Sequence, residues 1–285
     1  MIKLKSGGRG GQFSVLRGLA ETALGLAYTR NWPARVWNRV PVATRVRRVE
    51  RSIDVGRVDR APLKLAFASD LHIGPLTPPR LLDEAFAALA AWGPDVLVLG
   101  GDYVFLDVTR AMAERLTELV AMVPAPTKVA VLGNHDLWTD HSVIERALGR
   151  GGVRVLVNES VRLPAPHDDV AIVGVDEPWT GAPDPAGAFA AADPEAPVRI
   201  AVAHAPEGIP MISGRGASLM LCGHTHGGQV ALPSGPVVVH GPYGRKYPSG
   251  LYDVDGMRVY VSRGLGTVDV PLRVYAAAEV ALFTL

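Results

Sequence analysis

Leu219–Val230 reads LMLCGHTHGGQV. An apolar run meets Gly223, and two histidines one residue apart follow, then two glycines. On a continuous strand, residues i and i+2 point to the same face, so an unbroken strand would offer both imidazoles to one ion. Gly223 interrupts the strand first and permits His224 and His226 to turn apart. Taken alone, the stretch reads either as a turn that holds histidines or as part of a metal site.

The same texture recurs upstream. Apolar runs end in polar clusters in LKLAFASDLH (63–72), DVLVLGGD (95–102), KVAVLGNHD (128–136), DVAIVGVD (169–176) and VRIAVAH (198–204). Runs of about five apolar residues have the length of buried strands. Helical periodicity occupies Pro79–Trp92, roughly Val108–Val123 and, more briefly, His141–Arg150. The alternation predicts an α/β fold with a partly parallel sheet. Further on, PVVVH (236–240), GLYDVDGMRVYVS (250–262) and AEVALFTL (278–285) read as strands of a second, antiparallel sheet, with Asp255-Gly256 as a hairpin turn. Ala165–Pro197, rich in Pro, Ala and Asp (GAPDPAGAFAAADPEAP), reads as a loop with one short helix.

In open α/β sheets ligands bind beyond the carboxyl ends of the strands. Asp70 and His72 follow the first run, Asp102 the second, and Asn134, His135 and Asp136 the third; His204 and the His224/His226 pair follow two later ones. Five of the eight histidines lie at these ends. Singly, each cluster reads as a turn or a cap; in order, the set points to metal. Imidazoles, carboxylates and one amide oxygen, without thiolate, suit Mn²⁺, Fe²⁺, Zn²⁺ or Co²⁺. Seven ligands are too many for one such ion and fit two ions that share a bridging carboxylate. Paired ions of this kind polarise a phosphoryl oxygen and activate a water for in-line attack.

The set Asp70-x-His72, Gly101-Asp102, Gly133-Asn134-His135-Asp136, His204 and Gly223-His224-Thr225-His226 resembles the calcineurin-like metallophosphoesterase superfamily over 70–226. With GHTHGGQ, GLYDVDGMRVYVSRGLG and AEVALFTL, the chain is similar over about 61–285 to a bacterial branch of small, often membrane-associated phosphodiesterases. The resemblance implies a sandwich of two mixed β-sheets flanked by helices, with the metal site at the strand C-terminal ends. It implies that Asp70, His72 and His226 hold one ion, that Asn134, His204 and His224 hold a second, and that Asp102 bridges them, with Mn foremost and Fe or Zn as alternatives. His135 would face the phosphate and protonate the leaving oxygen or stabilise its charge; its other reading is a hydrogen-bonding support. Many members carry an Asp three residues after the bridging one to orient that histidine. Phe105 stands there in this chain, and Asp107 is the nearest carboxylate. Asp136 reads as a cap or supporting group and Asp176 as a loop residue near the mouth. Arg263 and Arg245 are candidates to bind phosphate, against the ordinary reading of solvated cations.

The implied activity is hydrolysis of phosphodiester or pyrophosphate bonds, with a lipid-linked substrate such as a UDP-diacylglucosamine as one case. The alternative is a soluble nucleotide phosphodiesterase, or a phosphomonoesterase or phosphoprotein phosphatase. A scaffold that has lost catalysis is disfavoured, because every ligand position is filled.

Charge divides the chain at about residue 60. Residues 1–60 hold 13 Lys and Arg against 4 Asp and Glu, and residues 61–285 hold 16 against 24, for a formal total of +1. A basic leader, 1–60, on an acidic domain, 61–285, suggests an anionic surface as partner. Phe13–Tyr28 has helical spacing but is too short and too charged to span a bilayer and lacks a signal-peptide cleavage pattern. It reads as a helix packed on the domain or as one lying on a membrane; either way Arg17 and Glu21 would pair on its polar face. The leader lacks the interleaved aromatics of a single-strand groove, so nucleic acid is not expected, and no protein partner is implied. The lone Cys222 excludes an internal disulfide. The expected location is the cytoplasm, peripheral to the inner membrane face if the leader binds lipid.

Overall fold

The computed structural model describes residues 2–285. In chain order the strands are β1 (Arg47–Ser52), β2 (Lys64–Ala68), β3 (Val96–Leu99), β4 (Thr127–Ala130), β5 (Arg154–Val155), β6 (Glu159–Arg162), β7 (Val170–Gly174), β8 (Val198–Val202), β9 (Leu219–Cys222), β10 (Ala231–Leu232), β11 (Gly235–Pro236), β12 (Gly250–Val254), β13 (Met257–Val261) and β14 (Glu279–Thr284). Two six-stranded sheets, ordered β1-β14-β2-β3-β4-β5 and β12-β13-β9-β8-β7-β6, form the frame, and β10-β11 is a small ribbon. Both large sheets are mixed. β2 to β5 run parallel and β14 is antiparallel to β2. β7, β8, β9 and β13 run parallel, with β6 and β12 antiparallel at the edges.

Alternation along each strand explains the layers. Leu65, Phe67, Val96 and Val98 point between the sheets, against Ile172, Ile200 and Leu221 of the second sheet. Ala66, Leu97, Leu99 and Leu132 point the other way, onto Pro79–Trp92, Arg110–Ala121 and His141–Arg150. With both faces buried, the strands are continuous apolar runs. A third core covers the outer face of the second sheet, where Ala201 and Met220 meet Phe189 and Ile212.

Two expectations change. The C-terminal strands form no sheet of their own. The β12–β13 hairpin, with Asp255 and Gly256 at φ 53° and 80° in its turn, extends the second sheet. β14 enters the first, because Val280 to Phe283 are buried on both faces and require a central position. Of the expected strand at 236–240, only Pro236 lies in a strand, the end of β11; the Val237 N–H still donates to the Val230 carbonyl at 3.0 Å, but Val237 and Val238 stand exposed.

Part of the basic leader packs into the first sheet. Arg47–Ser52 pairs with β14 from Arg47↔Glu279 to Ser52↔Thr284, filling the edge that β14 would otherwise leave open. α1 (Val15–Ala27) is capped by Ser14, whose side chain accepts from the Arg17 N–H. Arg17 and Glu21 do pair, but on the inward face. Glu21 is only 4% exposed and bonds Lys3 and Arg17 at 3.0 Å each. Leu16, Leu19 and Leu26 are 77%, 46% and 72% exposed. The helix lies charged side in, because a buried carboxylate needs its cations, and Leu16, Leu19 and Leu26 face solvent. Among the described residues no helix is long and apolar enough to cross a membrane.

Candidate metal centre

The strand ends turn sharply. Asp70, His72, Asp102, His224 and His226 have φ of 54°, 43°, 56°, 70° and 52°. Such left-handed conformations in non-glycine residues cost about 1–3 kcal/mol each and collect where geometry serves a site.

Asp102 is the hub. Its Oδ2 lies 3.6 Å from His72 Nε2 and 3.2 Å from His204 Nε2. Its Oδ1 accepts the His135 backbone N–H at 2.9 Å. To one side, His72 Nε2 is 3.1 Å from His226 Nε2, which is 3.4 Å from Asp70 Oδ1. To the other, His224 Nδ1 is 2.9 Å from Asn134 Oδ1, and the His204 and His224 rings are 5.2 Å apart. Asp70, His72 and His226 can thus present ligand atoms to one point, and Asp102, His204 and His224 to another, each set lying within 4.8 Å. Gly223 follows β9, and His226 lies in the first group and His224 in the second.

The donors suit a divalent ion. His204 Nδ1 makes a 2.7 Å contact with the Gly100 carbonyl, which fixes a proton there and turns the buried Nε2 toward Asp102 Oδ2 at 3.2 Å. Burial pushes His72 down to about 4 and His224 to about 3, so both rings are neutral at pH 7. Burial opposes charge on His204 too, but the neighbouring Asp102 carboxylate raises it to about 10, so an ion bound at Nε2 would displace the proton that Asp102 holds there. Burial likewise pushes Asp70 up to about 6.

Asp136 braces the hub. It accepts from the N–H groups of Asp102 and Tyr103 at 2.8 Å each and of Gly133 at 2.9 Å. Burial, then the charge of Asp102, push it up to about 7. His135 borders a cavity of about 490 Å³ above the cluster. Its ring packs 5.0 Å from His72, 5.6 Å from Phe105 and 5.2 Å from Trp138. Burial holds it well below the usual imidazole range. Phe105 therefore contacts the ring by aromatic packing where the resemblance anticipates a carboxylate. Asp107 does not supply that carboxylate: 68% exposed, it pairs with Lys3 at 2.8 Å.

The two arginines suggested by sequence stand apart from this cavity. Arg263 is held by Glu279 at 2.9 Å and lines a different cavity, with Arg273. Arg245 is exposed on the short helix Pro242–Lys246. Asp176 lies buried under Arg9, bonded through both oxygens at 2.6 and 2.7 Å. Sequence reading missed Arg273, whose Nη2 is 3.1 Å from His226 Nδ1. It also missed Gln12 and Arg17, which line the mouth with Trp179. Their signal was SGGRGGQ (6–12), a glycine cluster around a single arginine.

Residues 63–228 match the family described as calcineurin-like phosphoesterase. Phosphodiesterase YaeI of Escherichia coli (strain K12) is 32% identical over 235 residues, 79% of this chain and 83% of its own. The uncharacterized metallophosphoesterase YkuE of Bacillus subtilis (strain 168) is 29% identical over 225 residues, 78% of each chain. A transmembrane protein with metallophosphoesterase domain from Danio rerio is 27% identical across 98% of this chain and 66% of its own. The matched segment runs from the first strand of the cluster through the second histidine of GHTH, and with the buried Asp and His donors it identifies the chain as a metal-dependent phosphoester hydrolase that belongs to the calcineurin-like phosphoesterase family.

Proposed function

We propose that the protein hydrolyses phosphodiester or pyrophosphate bonds in a lipid-linked substrate at an anionic membrane surface. Asp70, His72 and His226 would hold one divalent ion and Asn134, His204 and His224 a second, with Asp102 shared between them; Mn²⁺ would suit this oxygen and nitrogen set. Bound there, the ions would polarise phosphoryl oxygens and make water a competent nucleophile near neutral pH. The chain's own residues do the rest. The His135 N–H pins Asp102 Oδ1, leaving Oδ2 free between the two histidine sets. His135, at the cavity wall, protonates or hydrogen-bonds the leaving oxygen. Asp136 keeps the Asp102 backbone in place.

The observation that carries the lipid reading is the inverted α1. Its exposed Leu16, Leu19 and Leu26 lie on the segment that also brings Arg17 to the cavity. Val230, Val237, Val238, Val239, Val268 and Val270 line the same cavity, an apolar wall suited to acyl chains. Exposed Arg30, Arg35, Arg39 and Arg45 follow α1 in the chain and favour anionic headgroups. One feature favours the soluble-nucleotide alternative: Trp179 stacks on His240 at 6.4 Å beside the site, a platform for a base. Hydrolysis of lipid pyrophosphates and of nucleotide diesters, each with and without phosphatidylglycerol vesicles, separates the two. The lipid reading expects vesicle-dependent turnover that falls when Leu16, Leu19 and Leu26 are changed to Ser. Full, vesicle-independent turnover on soluble nucleotides by that triple variant overturns it.

A further inference from the structure

We propose that residues 6–17 form a strap that completes the active site, and that the Arg17 guanidinium binds a non-bridging phosphoryl oxygen of the substrate. The proposal rests on the reading of the cluster as a phosphoester centre and adds to it a residue from outside the family's matched segment.

The strap ties together loops that follow strands of different sheets. The Gly7 and Gly10 N–H groups donate to the Trp138 and Leu137 carbonyls at 2.9 Å each, after β4. The Gly11 N–H donates to the Thr180 carbonyl at 2.7 Å, and Gln12 Nε2 to the Trp179 carbonyl at 2.8 Å, both after β7. Trp138 Nε1 donates back to the Gly11 carbonyl at 3.0 Å. Arg9 reaches Asp176 with two N–H groups. The glycines follow from this closeness: a Cβ on Gly8 would stand 2.1 Å from the Thr139 oxygen. The strap ends in the first turn of α1, which delivers Arg17 to the cavity lined by Asp102, Asn134, His135 and His224.

Arg17 is held on three sides. Nε donates to Glu21 at 3.0 Å, Nη1 approaches Asp269 at 3.5 Å, and the guanidinium carbon lies 5.4 Å from the Trp138 ring centroid. Trp138 in turn packs against His135. Nη2 is closed to solvent and has no hydrogen-bond partner among the described residues, a leftover donor that a small turn of the side chain into the cavity would satisfy. A buried donor without a partner is costly, and a planar guanidinium is well matched to phosphate oxygens. Arg17 is also the one Lys or Arg among the residues lining this cavity. Arg9, Lys3 and Arg263 are each committed to carboxylates.

The test uses the full chain loaded with Mn²⁺, its Arg17→Met and Arg17→Lys variants, inorganic phosphate as probe and bis-p-nitrophenyl phosphate as substrate. Calorimetry reads phosphate affinity independently of turnover. Arg17→Met should bind Mn²⁺ like the parent, bind phosphate about 10- to 100-fold more weakly, and lose kcat/KM by a similar factor, the range for a hydrogen bond to a charged group. Arg17→Lys keeps the charge without the planar fork and should fall between. Adding guanidinium ion to Arg17→Ala should restore part of the turnover. Phosphate affinity within twofold of the parent in Arg17→Met overturns the assignment, as does a loss of Mn²⁺ that parallels the loss of phosphate. A failure of the phosphoester reading itself shows separately, as no hydrolysis by the unaltered protein.

Discussion

Gly133→Ala isolates the hub of the site with a single methyl group. Gly133 has φ −102° and ψ 175°, extended backbone that alanine adopts without strain. The added Cβ would stand 2.1 Å from Asp102 Oδ1, 2.7 Å from its Cγ and 2.6 Å from its backbone nitrogen. Ordinary contacts lie near 3.5 Å, so the carboxylate must retreat by about 1 Å. It cannot do so freely. Asp102 sits at φ 56°, its nitrogen is bonded to Asp136, and Oδ1 holds the His135 N–H. Overpacking of this kind costs about 1–3 kcal/mol. Because Oδ2 faces both histidine sets, both ion sites should weaken, each by about 10- to 100-fold, the range for disturbing groups that orient ligands. The assay is Mn²⁺ titration calorimetry with thermal melting in the presence and absence of Mn²⁺. The control is Gly149→Ala in His141–Arg150, where an added Cβ meets nothing within 4 Å; it should leave Mn²⁺ binding unchanged and stabilise by about 0.5–1 kcal/mol. Parental Mn²⁺ affinity and turnover in Gly133→Ala would refute the placement of Asp102 at the hub.

Two further outcomes follow from contacts already described. His135→Ala should retain Mn²⁺ yet slow turnover by about 10²- to 10⁴-fold; loss of metal instead would make His135 a ligand, an arrangement its proximity to His72 and Asp102 makes worth testing. Burial pushes Asp176 upward, but hydrogen bonds from Arg9 and the Ala182 N–H outweigh it and hold the carboxyl below the usual range. A depressed carboxylate stabilises the fold above its unfolded pKa of about 3.9, and the contribution disappears as pH falls through the lower folded value. Asp176→Asn should therefore speed hydrogen exchange in residues 6–12 at pH 7 and flatten its dependence on pH below about 4; an unchanged profile would show that the pair does not anchor the strap.

Much of the site was legible because it consists of short polar clusters after apolar runs. Strand ends are marked by composition, and residues that follow successive parallel strands converge at one edge of the sheet. The helices at Pro79–Trp92 and His141–Arg150 were legible for the same local reason, their periodicity. What the sequence concealed was non-local. Whether β14 pairs with β13 or with β2 depends on which edge is open, and no local pattern records that. α1 shows the limit best. Its spacing identified a helix and its Arg17–Glu21 pair, but the orientation was decided by Lys3, Trp138 and Asp269, residues distant in the chain from one or both members of the pair. Arg17 was accordingly read as part of a solvated face rather than of the cavity.

The most direct test of the central claim is electron paramagnetic resonance of the protein titrated with Mn²⁺, alongside Asp102→Asn. Two ions bridged by one carboxylate, about 3.5–4 Å apart, should give an exchange-coupled spectrum at two equivalents per chain. Asp102→Asn should lose the coupling and bind both ions more weakly. Saturation at one equivalent, two uncoupled ions, or a coupled spectrum that survives Asp102→Asn would contradict a two-ion centre built around Asp102.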